Sequence, residues 1–171
     1  MLSLIVAMDK NKGIGLDNKI PWFVPGELGW VAKTTKKVVD TSKRNALIMG
    51  HKTWLSLPEE RRPLAGRLNI VISRSAKIEN KDVVVFDNLL DALSFVKNSD
   101  DIETGFVFGG ASIYEQVLQD GFDISELLVA IIPGDYDADT FFPDIPEKYK
   151  LMDEYIDSYG DIDVTRQKWV L

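Results

Sequence analysis

Short apolar runs that alternate with helical patterns constrain the fold of this chain most strongly. The first run, residues 2–8, is almost uninterrupted, as expected for a strand that is covered on both faces. Further strand-like runs occupy residues 46–49, 68–73, 83–86, 105–108 and 127–132. Strands of this kind belong to mostly parallel sheets that lie between helices.

Helical patterns fill the intervals, and the chain ends on a hairpin pattern. We predict helices at residues 25–36, 51–57, 89–97 (capped by Asp87 or Asn88) and 111–119. Residues 150–171 read as two strands joined around residues 158–161. The sequence therefore predicts one three-layer α/β domain over residues 1–171. Its central sheet has eight mostly parallel strands with an antiparallel C-terminal hairpin strand, flanked by about four helices.

Charge and cysteine content narrow the function classes. A formal net charge of −7 gives no support to a nucleic-acid or anionic-membrane partner. The absence of cysteine excludes disulfides and thiolate metal sites, and it fits a cytoplasmic protein. The apolar start is short and has no basic leader, so neither a signal peptide nor a membrane span is expected.

One acidic residue stands on an otherwise apolar helical stripe. Pro25 suits the first position of the helix, and helical spacing then aligns Val24, Glu27, Leu28 and Val31 on a face that should point inward. No basic residue of that stripe can pair with Glu27, and a buried carboxylate is costly unless it meets a polar ligand. The alternative is that the face is misassigned and Glu27 is simply solvated.

Three junctions between a strand and the following segment could bind anions. They are Gly50-His51-Lys52-Thr53, Ser73-Arg74-Ser75 and the segment that starts at Gly109-Gly110. A glycine pair after a strand is more often a tight turn, but three junctions on parallel strands suggest one extended ligand such as a dinucleotide. The G-x-G-x-x-G fingerprint is absent, so an ordinary Rossmann site is excluded.

No metal site is expected. Residues 135–139 have the opening spacing of a calcium loop, but Thr140 and Pro146 stand where that loop needs glycine and glutamate. The single histidine, His51, rules out histidine-rich zinc sites.

Several short segments occur together in the order and spacing of one family. They are LIVA (4–7), GIG (13–15), PW (21–22), IMGHKTW (48–54), RPLAGR (62–67), SR (73–74), GGASIY (109–114) and DTFFP (139–143). Over essentially its whole length the chain thereby resembles dihydrofolate reductase. The resemblance implies hydride transfer from NADPH to C6 of 7,8-dihydrofolate with protonation at N5 from solvent, a step of one-carbon metabolism and a target of antifolates.

The resemblance also implies a role for each site residue. Glu27 would hold the pterin edge and Trp22 would order a water beside it, which makes these two the catalytic residues. The substrate would contact Ile5, Ala7, Leu28, Val31, Leu57, Leu64, Arg67, Phe108 and Tyr114, with Arg67 on the α-carboxylate of the glutamate tail.

NADPH would contact a second set of residues. The nicotinamide end would lie along Ala7, Ile14, Gly15, Asn18, Lys19 and Ile20, under a loop (residues 9–19) that closes over it. The phosphates and adenosine would contact Gly50, His51, Lys52, Thr53, Ser73, Arg74, Gly109, Gly110, Ala111, Ser112, Ile113 and Tyr114, and the family has a cis peptide between the two glycines.

Two positions depart from the family pattern. Ala130 stands where members carry a threonine that bonds the pocket carboxylate, and Val31 stands where they carry a large aromatic residue. Glu27 should therefore lack one partner, and we predict that Ala130→Thr tightens dihydrofolate binding.

Alternative functions stay open at this point. One is a catalytically weak folate- or nucleotide-binding protein, and another is a same-fold NADPH reductase of a different pterin or pyrimidine. A monomer without nucleic-acid or membrane partners is expected in each case.

Overall fold

Over residues 1–119 and 121–171, which the computed structural model describes, the chain forms ten strands, four α-helices and one 3₁₀ turn, Glu59–Arg61. In chain order the elements are β1 (Leu2–Asp9), β2 (Gly13–Gly15), α1 (Glu27–Lys36), β3 (Arg44–Gly50), α2 (His51–Ser56), β4 (Arg67–Ile72), β5 (Val83–Phe86), α3 (Leu89–Asn98), β6 (Ile102–Gly109), α4 (Ala111–Gln119), β7 (Glu126–Ile132), β8 (Thr140–Phe141), β9 (Lys150–Tyr159) and β10 (Ile162–Val170). Within the described ranges, no helix is long and apolar enough to cross a membrane.

Eight strands form one sheet in the order β5-β4-β3-β6-β1-β7-β10-β9. The first six strands in this order, from β5 through β4, β3, β6 and β1 to β7, are all parallel to one another. By contrast, β10 is antiparallel to both β7 and β9. This confirms the predicted mostly parallel sheet with its antiparallel C-terminal hairpin strand. β2 and β8 form a separate two-stranded sheet that the sequence analysis missed. Strands of three and two residues are too short to show an alternating pattern.

Helices cover both faces of the large sheet, which confirms the three-layer architecture. On one face Leu4 and Val6 of β1 share a buried cluster with residues of α3 and α4. On the other face Ile5 packs in a second cluster that includes Trp30 of α1 and Trp54 of α2. β1 therefore buries both of its faces, as its continuous apolar sequence predicts.

The start of α1 differs from the prediction. The helix begins at Glu27 rather than at Pro25, because Gly26 has a left-handed backbone with φ of +90° that interrupts the helical path. The prediction that the stripe of α1 faces inward is also only partly correct. Val24 and Glu27 are buried, but Leu28 is 55% exposed at the opening of a cavity described below.

Gly105 marks a place where β6 and α3 pack too closely for an added methyl group. A Cβ there would lie 2.6 Å from Val96 Cγ1 and 3.1 Å from Leu2 Cδ2. Because overpacking a core typically costs about 1–3 kcal/mol, we expect Gly105→Ala to lower the free energy of unfolding by about that amount in urea denaturation. Gly29→Ala in α1 is the control, since a Cβ added there would meet nothing within 4 Å and alanine favours helix by up to about 1 kcal/mol. Equal stabilities for the two variants would contradict this packing.

Candidate active site

A cavity of about 500 Å³ opens where β1 and β6 end, between the sheet, α1 and α2. Many of the residues predicted from the sequence line it: Ile5, Ala7, Ile14, Gly15, Asn18, Lys19, Ile20, Trp22, Glu27, Leu28, Val31, Thr53, Leu57, Leu64, Arg67, Phe108, Gly110, Ala111 and Tyr114. The structure thus brings together the whole predicted substrate set and the predicted nicotinamide set. It adds Val6, Ala32, Ser56, Pro58, Arg61 and Thr140, to which the sequence assigned no role in the site.

Glu27 is buried at the cavity wall, with 2% of its surface exposed, so the alternative of a solvated Glu27 is wrong. Its Oε1 accepts a hydrogen bond from Nη1 of Arg166 at 3.1 Å. The hydroxyl that residue 130 cannot supply is thus replaced by a basic partner, which comes from β10 rather than from the stripe of α1. Glu27 Oε2 accepts no hydrogen bond from the residues that the structure describes.

Arg166 is itself held on several sides. Its Nη2 donates to the Tyr159 hydroxyl at 2.7 Å and to Asp157 Oδ2 at 3.2 Å, and its guanidinium carbon lies 4.1 Å from the Trp30 ring centroid. The Tyr159 hydroxyl donates to Asp157 at 2.6 Å, and its pKa is raised, chiefly by burial and next by that bond. One guanidinium, that of Arg166, therefore contacts the two carboxylates of Glu27 and Asp157. Two carboxylates outnumber one guanidinium, so these three side chains together carry a net negative charge that can attract N–H donors.

A second buried cation lies at the other side of the cavity. Arg67, 6% exposed, donates to the Thr35 hydroxyl at 2.8 Å and to the Ala65 carbonyl at 3.2 Å. No carboxylate within the described residues forms an ion pair with it. Burial lowers the pKa of the guanidinium, because little solvent is left to stabilise its charge. A ligand carboxylate would supply the missing counter-charge.

The loop between β1 and α1 lies over the cavity and is fastened at both ends. Asp9, 1% exposed, accepts hydrogen bonds from the backbone of Asn11 and Gly13, both at 2.8 Å. Farther along, the Asn18 side-chain amide donates to the Lys52 carbonyl at 3.2 Å and so bridges the loop to α2. These contacts hold residues 14–20, which are predicted to contact the nicotinamide, against the opening of the cavity.

At the start of α4 two glycines let neighbouring side chains approach the backbone closely. A Cβ on Gly110 would meet Thr53 Oγ1 at 3.1 Å, and one on Gly109 would meet the Tyr114 hydroxyl at 3.0 Å. The Gly109–Gly110 peptide is cis, as the resemblance implies. Tyr114 donates to the Ile5 carbonyl at 2.8 Å and burial raises its pKa, so this hydroxyl stays protonated and fixed.

The remaining predicted cofactor residues lie outside the cavity lining: Gly50, His51, Lys52, Ser73, Arg74, Gly109, Ser112 and Ile113. They stand at the ends of β3, β4 and β6 and at the starts of α2 and α4. The pairings of Gly50 with Ile72 and of Met49 with Gly109 bring these ends to one edge of the sheet. Lys52 and Arg74 are exposed there and form no ion pair with a described carboxylate.

Comparison with known proteins gives one consistent result. A family model described as "Dihydrofolate reductase" matches residues 1–168. The chain is 36% identical to dihydrofolate reductase of Drosophila melanogaster over 150 residues, which is 86% of this chain and 82% of that protein. It is 35% identical to the Aedes albopictus enzyme (94% of this chain, 88% of that protein) and 36% identical to the Rattus norvegicus enzyme (90% and 85%).

Proposed function

Because the chain belongs to the dihydrofolate reductase family, we propose that this cavity carries out the family's reaction through the residues that line it. The protein is an NADPH-dependent oxidoreductase that reduces 7,8-dihydrofolate to 5,6,7,8-tetrahydrofolate. Glu27 supports this assignment of roles: it is a buried carboxylate at the wall of a largely apolar cavity, and one of its oxygens accepts no hydrogen bond from the described residues.

Glu27 binds the pterin ring. Its free oxygen accepts hydrogen bonds from the amide N–H and the amino group of the ring, and such bonds to a charged acceptor contribute about 1.5–3 kcal/mol each. Ile5, Ala7 and Phe108 supply the apolar walls against which the flat ring packs. Trp22, which packs edge-on against Tyr136 at 5.7 Å between ring centroids, orders a water beside the carboxylate.

Arg67 binds the glutamate tail of the substrate. Leu57 and Leu64 flank the benzoyl group on the way to this guanidinium. The α-carboxylate then meets a cation whose orientation is already fixed by Thr35 and Ala65, so little side-chain entropy is lost on binding.

The residues at the other side of the cavity fit NADPH. Gly110 and Ala111 line the cavity at the start of α4, where the first backbone N–H groups of the helix favour an anion such as the pyrophosphate. Lys52 and Arg74, which form no ion pair with a described carboxylate, suit a 2′-phosphate together with His51 and Ser73. When bound, NADPH supplies the hydride that reduces C6 of the pterin.

The chain's own groups prepare that transfer. The loop fastened by Asp9 and Asn18 covers the opening and excludes bulk water. Glu27 fixes the pterin in the plane between the apolar walls and so sets the approach to C6. Because Glu27 binds the opposite edge of the ring, a water delivers the proton to N5.

The direct test is to add NADPH and dihydrofolate to the protein and follow the loss of absorbance. We expect stoichiometric oxidation of NADPH and formation of tetrahydrofolate. Binding of both ligands without turnover would favour the alternative of a catalytically weak folate-binding protein. Turnover with a different pterin or a pyrimidine, but not with dihydrofolate, would favour the other alternative.

Arg74→Met tests the 2′-phosphate assignment. The exposed position predicts a modest effect, because a solvent-exposed ion pair contributes up to about 1 kcal/mol. We expect the KM for NADPH to rise about threefold to fivefold while the KM for NADH stays unchanged. Parallel increases for both cofactors would contradict a contact with the phosphate. Lys77→Met, a neighbouring exposed cation outside the predicted set, is the matched control.

The wider biological setting is part of the same proposal. We propose that residues 1–171 act as a single domain and as a cytoplasmic monomer whose partners are small molecules. The net charge of −7 argues against nucleic acid, and the lack of cysteine suits a reducing compartment.

A further inference from the structure

We propose that Arg166 is a positioning residue, which orients Glu27 so that one of its oxygens faces the pterin. This inference rests on the proposed function of the cavity and names a residue that neither the sequence motifs nor the cavity lining includes. Arg166 is the largest fully buried side chain of the described residues, with 1% of its surface exposed. A side chain of this size and charge in the interior requires a specific set of partners.

The contacts of Arg166 fix its orientation. Nη1 reaches Glu27 at 3.1 Å, while Nε and Nη2 reach Asp157 Oδ2 at 3.3 and 3.2 Å. The Trp30 ring lies 4.1 Å from the guanidinium carbon and blocks movement out of the plane. Because the guanidinium is planar, fixing one side on Asp157 also fixes the direction of the Nη1 bond to Glu27.

The sheet explains how Arg166 reaches a helix on the far side of β7. In the register Ala7 of β1 pairs with Ala130 of β7, and Ala130 pairs with Arg166 of β10. Paired residues place their side chains on the same face of a sheet, so these three form one row. Ala130 is fully buried and packs with Trp22 and Val24. Because Ala130 ends at Cβ, we infer that it leaves room in this row for Arg166 to extend toward Glu27.

The position of Arg166 changes how the alanine at residue 130 is interpreted. From the sequence alone, the missing hydroxyl at residue 130 means that Glu27 has lost a hydrogen-bond partner. In the structure, Arg166 occupies Glu27 Oε1 and leaves Oε2 for the ligand. Asp157 balances the guanidinium, so Glu27 keeps the charge that attracts ring N–H groups. Ala130→Thr alone is therefore expected to crowd the guanidinium rather than to tighten substrate binding.

The test removes Arg166 and then returns a hydroxyl to residue 130. For Arg166→Leu we expect the dissociation constant of dihydrofolate to rise at least tenfold, with that of NADPH unchanged within twofold. In Arg166→Leu/Ala130→Thr the threonine hydroxyl can donate to Glu27. We expect this second substitution to reverse at least half of the increase in the logarithm of the dihydrofolate dissociation constant. A purely structural Arg166 would lower the fraction of active protein and both affinities together, and a threonine would not restore the pterin affinity selectively.

A control variant and a substitute variant complete the experiment. Lys168→Met on the same strand removes the ion pair between the exposed Lys168 and Glu126 and should leave both affinities unchanged. If Arg166→Leu does not fold, Arg166→Lys replaces it, because an ammonium cannot reach Glu27 and Asp157 together and should weaken dihydrofolate binding threefold or more. Unchanged dihydrofolate affinity in whichever of these Arg166 variants folds overturns the inference. Failure of the wild-type protein to bind dihydrofolate would instead overturn the proposed function.

Discussion

Glu27→Gln is expected to lower kcat/KM for dihydrofolate by about 10²- to 10³-fold, a larger effect than any other substitution proposed for this site. Glutamine keeps the size of the side chain but removes the charge that accepts two hydrogen bonds from the pterin. The loss corresponds to about 3–4 kcal/mol at the conversion of 1.4 kcal/mol per factor of ten. Steady-state rates with saturating NADPH measure it.

The same substitution should leave the cofactor site intact. The residues assigned to NADPH share no hydrogen bond with Glu27, whose described partner is Arg166. We therefore expect the dissociation constant of NADPH to stay within twofold of the wild-type value. A Glu27→Gln protein that turns over dihydrofolate at more than a tenth of the wild-type efficiency would contradict the assigned role.

Arg67→Met is expected to raise the KM for dihydrofolate by about 30- to 100-fold, with kcat changed much less. A bidentate pair with the α-carboxylate is worth about 2–3 kcal/mol, and it lies far from the bond that reacts. Because Arg67 is a buried cation without a carboxylate partner in the described residues, its removal should not lower the free energy of unfolding. Thr35 keeps its own hydrogen bond to the Val31 carbonyl at 2.8 Å.

Two controls separate tail binding from general damage. Arg61, an exposed cation of the cavity lining, is the matched position, and Arg61→Met should raise the KM less than fivefold. A dihydropterin without the benzoylglutamate tail should be reduced equally well by the wild-type and Arg67→Met proteins. A large loss with this short substrate would show that Arg67 does not act through the tail.

Local patterns in the sequence were sufficient for most of the fold. The continuous apolar run at residues 2–8 predicted a strand buried on both faces. Asn88, one of the two predicted caps of α3, does cap that helix, because its side chain accepts a hydrogen bond from the Asp91 backbone N–H at 2.9 Å. The start of α1 was wrong because the left-handed conformation of Gly26 outweighs the preference of Pro25 for a first helical turn. Nothing in composition distinguishes these two outcomes before the backbone is known.

The candidate site was predictable where its residues come from consecutive motifs and not where they come from distant strands. Glu27 was identified by its own helical stripe, but Arg166 lies 139 residues farther along the chain. Only the register of three strands places Ala7, Ala130 and Arg166 in one row. Sequence periodicity does not contain that register. An arginine at an inward position of the last strand was the available signal, since arginine is almost never fully buried without a partner.

The most direct test of the central claim is a crystal structure with NADP⁺ and folate bound. We expect the amide nitrogen and the amino group of the pterin to lie within about 2.7–3.2 Å of the Glu27 carboxylate, while Arg166 stays on Oε1. A pterin ring bound elsewhere, or a Glu27 side chain turned away from it, would show that Glu27 does not bind the substrate.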